Sequence, residues 1–167
     1  MSMTTFASEF ETAIDRDFRF LKTDLGFENQ GIRTEGDDPR DSYLLARFTR
    51  GEERVDVAWN EMAKSLSILI RVSNDELGRR DRYLYFEPFM EFTSNGEMLP
   101  IAPQLFPRFT MKSIEAAMRE RELVFKDGLA VSMKLLSNKL SDSLASVLST
   151  PAENIRKYQH WYASRTG

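Results

Sequence analysis

Two carboxylates four residues apart, Glu87 and Glu91, stand in the most aromatic stretch of the chain, among Tyr83, Tyr85, Phe86, Phe89 and Phe92. On a helix that spacing puts both acids on one face. A pair of acids in an apolar setting can divide general-acid and general-base work between them, as in glycoside hydrolysis. A solvated pair beside core aromatics explains the same residues, and the chain has 26 acids to place. Tyr83, Tyr85, Glu87 and Glu91 are therefore a candidate ligand site, for small-molecule binding or hydrolysis.

Other chemistry-bearing residues are sparse. His160 is the single histidine. It falls on the polar side of its helix with Arg156 and Lys157, with no orienting carboxylate beside it, and reads as a surface residue. Zero cysteines exclude disulfides, thiolate metal sites and a cysteine nucleophile. One histidine excludes a multi-histidine metal site within one chain. Asp37, Asp38 and Asp41 lack the spacing of a calcium loop and read as a solvated turn. No glycine-rich phosphate motif occurs. Arg79-Arg80-Asp81-Arg82 could grip an anion, but reads equally as a solubilising hairpin tip. No residue earns a catalytic assignment, and no cofactor or metal is expected.

The elements that must position these residues are clearer than the chemistry. Phe6, Phe10, Ile14, Phe18, Leu21 and Leu25 recur at spacings of three and four, which predicts a helix from about Thr5 to Leu25. Gly26 follows, where a left-handed C-cap would sit. Phe27–Thr34 reads as a weak first strand, and Glu35–Ser42 as a polar loop. Then come tracts with apolar residues at every second position, Tyr43–Arg50, Arg54–Asn60, Ser65–Val72 and Tyr83–Phe86. Gly51 marks a tight hairpin, and the short connections force antiparallel pairing. A helical turn starting at Pro88 is expected next.

Residues 93–109 hold Gly96, Pro100, Pro103 and Pro107 and read as a connector. Helical periodicity resumes after it. Ile114, Ala117, Met118 and Phe125 form one stripe; Leu129, Met133, Leu136, Leu140, Leu144 and Val147 form another. Gly128 between them favours a break, and one kinked helix or two remain open. Thr150-Pro151-Ala152-Glu153 is a capping box that opens a last helix with Ile155, Tyr158 and Tyr162 inward. The expected architecture is one α+β domain spanning 1–167: an N-terminal helix, an antiparallel meander of four to five strands within 1–109, and C-terminal helices from 110–167 packed on one sheet face. A chain of this length can bury roughly two-thirds of its unfolded surface, and 41% hydrophobic residues with twelve Phe suit a filled core.

If Val55, Val57, Leu66 and Ile68 point inward, Arg47, Asp56, Asn60, Ser67 and Arg71 share the other face. That face is either a rigid docking surface or merely wet, as antiparallel sheets permit. Charge bears on the choice. The net charge of −3 divides into −6 over residues 1–109 and +3 over 110–167. An acidic half argues against nucleic acid, whose phosphates need a basic footprint, and suits a basic protein partner. It also serves plain solubility. The opening residues carry acids and no apolar h-region, and no 18-residue apolar stretch follows, so a cytoplasmic protein with no membrane contact is expected. Trp161, at the edge of the last helix's apolar stripe, would support at most a weak homodimer, with a monomer the other expectation.

The segments FRFLKTDLGF (Phe18–Phe27), YLLARFTRGEERVDVAWNEMAKSLSILI (Tyr43–Ile70) and PRFTMKSIEAAM (Pro107–Met118), in that order, resemble a diffuse group of small bacterial proteins, some associated with toxin–immunity loci. The resemblance runs through core and cap positions and carries no catalytic or binding residue. It implies a fold of this kind and, where the immunity association holds, tight binding of a toxin through an acidic surface. The expected function is accordingly a non-enzymatic protein-binding module, of the immunity type. Asp37, Asp38, Asp41, Arg47, Asp56 and Arg71 are the expected contact region.

Overall fold

The computed structural model describes residues 3–36, 42–60, 65–93 and 133–166. The long apolar stripe at the start forms two helices rather than one, α1 (Met3–Asp17) and α2 (Arg19–Thr23). They part at Phe18, whose φ of −104° and ψ of 11° leave the helical region. The stripe survives the break, because Phe10, Ile14, Phe18 and Leu21 are all fully buried. Gly26 takes the left-handed conformation its position called for (φ 72°), and the Phe27 amide reaches back across it to the Leu21 carbonyl at 2.8 Å.

Five strands follow, β1 (Glu28–Glu35), β2 (Tyr43–Arg50), β3 (Glu53–Asn60), β4 (Ser65–Arg71) and β5 (Tyr83–Tyr85), each paired antiparallel with the next in chain order. Gly51 at φ 58° turns β2 into β3 within two residues. Between Asn29 and Ile32 the β1 register slips against β2, making a bulge at Gly31. Gly31 has φ 86°, and its amide donates to the Asn29 side-chain oxygen at 2.8 Å. A Cβ there would touch nothing within 4 Å, so only backbone strain opposes a side chain. Gly31→Ala should therefore cost about 1 kcal/mol in a urea titration, with no change of fold by circular dichroism.

After β5 the chain enters α3 (Phe86–Thr93) two residues earlier than Pro88 suggested. This puts the proline in the first helical turn, where its missing N–H is harmless. Residues 133–148 form α4, and α5 spans Ala152–Thr166. The Thr150 hydroxyl, expected to cap α5, turns back and donates to the Ser146 carbonyl at 3.0 Å. The Pro151 carbonyl accepts the first α5 amides, from Asn154 and Ile155. The connector from 94 to 109, the Ile114–Phe125 stripe and Leu129 lie outside the described residues, as does the choice between one helix and two over 111–148.

A single apolar core joins these layers. Val55, Val57 and Trp59 of β3 and Leu66, Ile68 and Ile70 of β4 are each at most 1% exposed. They cluster with Phe10, Ile14 and Phe18 from the N-terminal helices and with Met133, Leu136, Leu140, Leu144, Ile155 and Tyr158 from the C-terminal ones. Each fully buried Leu, Ile or Phe contributes roughly 1.5–3 kcal/mol, so this layer supplies most of the cohesion. The α4 stripe is thus spent on the chain's own sheet.

The last helix also closes a sheet edge. The Tyr158 hydroxyl accepts from the Tyr85 amide at 3.3 Å and lies 3.5 Å from the Tyr85 carbonyl. The Gln159 amide donates to the Tyr83 carbonyl at 2.5 Å and to Asp81 at 3.2 Å. Outward backbone groups of β5 are thereby occupied, which removes a template for strand addition. Trp161 is half-buried, in ring contact with Phe92 at 5.4 Å and under the Arg165 guanidinium at 4.6 Å. Among the described residues no helix is long and apolar enough to cross a membrane.

Candidate functional site

The alternation that buries Val55, Val57 and Ile68 sends their neighbours to the opposite face, and the register sets those neighbours in rows. One row runs Thr49, Arg54, Arg71, Tyr83; the next Arg47, Asp56, Leu69, Tyr85; the next Arg33, Leu45, Ala58, Ser67; beyond it lie the paired Glu35 and Tyr43, and Asn60 at the end of β3. In the third row the directly paired Ala58 and Ser67 are small. They leave a dent at the centre of the face, overlooked by Tyr43 from one corner and Tyr85 from another. The result is a half-open trough of about 430 Å³ whose described lining comes from strands alone, including Leu45 and Leu69 as its greasier part.

Its charged wall is a cluster around Asp56. Arg47 donates through Nε and Nη2 to the two carboxylate oxygens at 2.8 and 3.0 Å, a bidentate fork. Arg54 approaches the same carboxylate through Nε at 3.2 Å. The Asp56 side chain is only 4% exposed, whereas the two arginines are about a quarter exposed. So Asp56 does lie on the face expected of it, but beneath the arginines rather than out in water. Hydrogen bonding to its carboxylate holds the Arg47 guanidinium above its ordinary pKa, against the partial burial that would lower it. Glu35, at the far end of the trough, pairs with Arg33 at 3.0 Å.

Arg71 belongs to the adjoining row. Its Nη1 donates to the Glu52 carbonyl at 2.9 Å, and its Nε is buried without an acceptor among the described residues. Tyr83 lies under both Arg54 (5.1 Å) and Arg71 (5.8 Å), a cation–π stack that fixes the row. Asp37, Asp38 and Asp41, the acidic half of the expected contact region, fall in the segment between Glu35 and Tyr43, outside the described residues. Arg54, Tyr43 and Ala58 were absent from the expected contact set. The first shares its alternation parity with Asp56 and was within reach of that reasoning.

The structure separates the two acids of the alternative site. Glu91 is held by Arg165 at 2.6 Å. Glu87 is 8% exposed and neither carboxylate oxygen has a hydrogen-bond partner among the described residues, so it is no solvated surface pair with Glu91. Burial pushes its pKa up to about 7. Of the aromatics near it, Phe89 is packing, meeting Tyr158 edge-on at 5.2 Å, whereas Tyr85 touches Tyr162 at 5.9 Å but is itself exposed and lines the trough. Neither acid lines the trough, nor a second groove of about 670 Å³ between α3 and the α4–α5 corner. His160 is exposed. Among the described residues no group of three or more His, Asp or Glu is placed to hold a metal ion.

Compared with known proteins, the chain matches no family model, no curated protein and no solved structure. What the geometry defines is therefore a class: an α+β protein with one face of an antiparallel meander buried under helices and the other shaped and charged.

Proposed function

We propose that this protein is a non-enzymatic protein-binding module whose polar sheet face is the docking surface, and that its role is that of an immunity-type inhibitor. The observation that supports this reading is the trough: a concave, half-exposed surface on a five-stranded sheet, with its arginines fixed in advance by Asp56. A rigid surface loses little entropy on binding, which favours affinity. The acidic character of residues 1–109 steers a basic partner at long range, and the segment carrying Asp37, Asp38 and Asp41 adjoins the Glu35–Tyr43 end of the face in sequence.

The competing reading is a small-molecule-binding or hydrolytic domain built on Tyr83, Tyr85, Glu87 and Glu91. It is favoured by Glu87, a carboxyl that titrates near neutrality. A general acid must reach its substrate, however, and Glu87 borders neither concavity while Glu91 is occupied by Arg165. The binding module is the better account.

The test is to co-express the chain with the product of each neighbouring gene. A partner that co-purifies, is toxic alone and is neutralised by this chain is the expected result. Arg47→Glu should abolish the complex. A gene with no toxin or secretion gene beside it would overturn the immunity role and leave the binding module.

A further inference from the structure

We propose that the trough receives one acidic side chain, an aspartate or glutamate, presented by a partner protein with an apolar residue beside it; this rests on the docking face proposed above. Charge is the first argument. Asp56 is a single carboxylate shared by two guanidiniums, Arg47 and Arg54, so that cluster keeps one positive charge in excess. Glu35 also attracts Arg47, but its charge is balanced by Arg33 at 3.0 Å, so the excess stands. Nor does the neighbouring row, where Arg71 pairs directly with Arg54 and adds a further positive charge.

Donor geometry is the second. Each guanidinium offers five N–H groups in a planar fork. Asp56 takes two from Arg47 and one from Arg54. The other donors of the two arginines are not taken by Asp56, which lies deep, and both arginine side chains are about a quarter exposed. They would meet an incoming carboxylate already oriented, without the cost of ordering two long side chains.

Shape is the third. A volume of about 430 Å³ exceeds what a bare carboxylate needs and matches a few side chains of a bound segment. Beyond Asp56 and its arginines the lining joins Leu45, Leu69, Ala58 and the rings of Tyr43 and Tyr85, which suit an apolar neighbour of the acid, to the polar Asn60 and Ser67 and to Glu35, which Arg33 engages. The partner can still be basic overall. Net charge steers over a Debye length of roughly 8–10 Å, whereas the trough selects one group at contact.

The test uses the full chain as bait for a phage-displayed library of random dodecapeptides, followed by synthesis of the enriched sequences and calorimetry. Enriched peptides should share an Asp or Glu next to an aromatic or aliphatic residue, and the amide variant of that acid should bind at least tenfold more weakly. Arg54→Gln should weaken binding about tenfold, and Ala58→Phe, which fills the dent from its floor, should abolish it. Circular dichroism and the thermal midpoint show whether each variant is folded, and the two act by unrelated routes, so one that unfolds leaves the other to decide. Basic peptides that still depend on Ala58 would overturn the acidic specificity and leave the docking face standing. Peptides indifferent to both variants, or no enrichment, would overturn both. Displacement by inorganic phosphate as readily as by a competing acidic peptide would make the trough a general anion seat and overturn the assignment to a protein side chain.

Discussion

Replacing Glu87 with methionine should stabilise the protein at pH 8 by about 3 kcal/mol and change it little at pH 4. The carboxyl is buried, neither oxygen is hydrogen-bonded among the described residues, and desolvation lifts its pKa from 4.5 to about 7. In the unfolded chain Glu87 ionises above pH 4.5, while in the folded chain it keeps its proton until about 7. Folding therefore takes up a proton between those limits. Stability must fall as pH rises through that window and level off above it. Methionine has similar length and no charge to desolvate, so the variant lacks this slope. Urea titrations of both proteins from pH 4 to pH 8 isolate the effect, because contributions common to the two proteins cancel in the difference. A difference that stays flat across the range would show that Glu87 ionises like a surface acid and is not enclosed.

That burial is what sequence reasoning missed, and the reason is local. Placing the helix start at Pro88 left Glu87 just outside it, and the spacing to Glu91 suggested a shared wet face. With α3 starting at Phe86, Glu87 sits in the first turn, against the end of β5, while Glu91 reaches Arg165 on α5. Helix start and tertiary contact decide such cases, and a four-residue spacing carries neither. The sheet was legible for the opposite reason. A period of two over Arg54–Asn60 and Ser65–Val72 leaves one face for the core, and a slip by one residue would have turned Trp59 and Ile68 outward. The parity of Arg47, Asp56 and Arg71 followed directly. The trough did not, since it needs Ala58 opposite Ser67, a pairing that exists only once the β3–β4 register is known. The break at Phe18 was likewise hidden, because the apolar stripe continues through it.

Asp56→Ala should destabilise the protein by about 3 kcal/mol, the most damaging single change on the polar face. Removing this one carboxylate strips the partner from two guanidiniums and leaves Arg47, Arg54 and Arg71 as like charges on adjoining positions. The arginines are a quarter exposed, so water recovers part of the loss, which keeps the figure at the lower end of what breaking a buried ion pair costs. Two consequences separate this from ordinary loss of packing. Salt should restore some of the stability, because screening weakens the repulsion among the arginines, whereas a cavity is indifferent to salt. And Arg47→Met should be nearly as costly as an isolated partner loss in wild type, about 1 kcal/mol, yet harmless or stabilising in the Asp56→Ala background, where it removes one of the repelling charges. A double-mutant cycle by urea denaturation at low and high salt measures both. If Asp56→Ala costs under half a kilocalorie, or the two changes simply add, the cluster is not a coupled unit and the arginines of the trough are not held by Asp56.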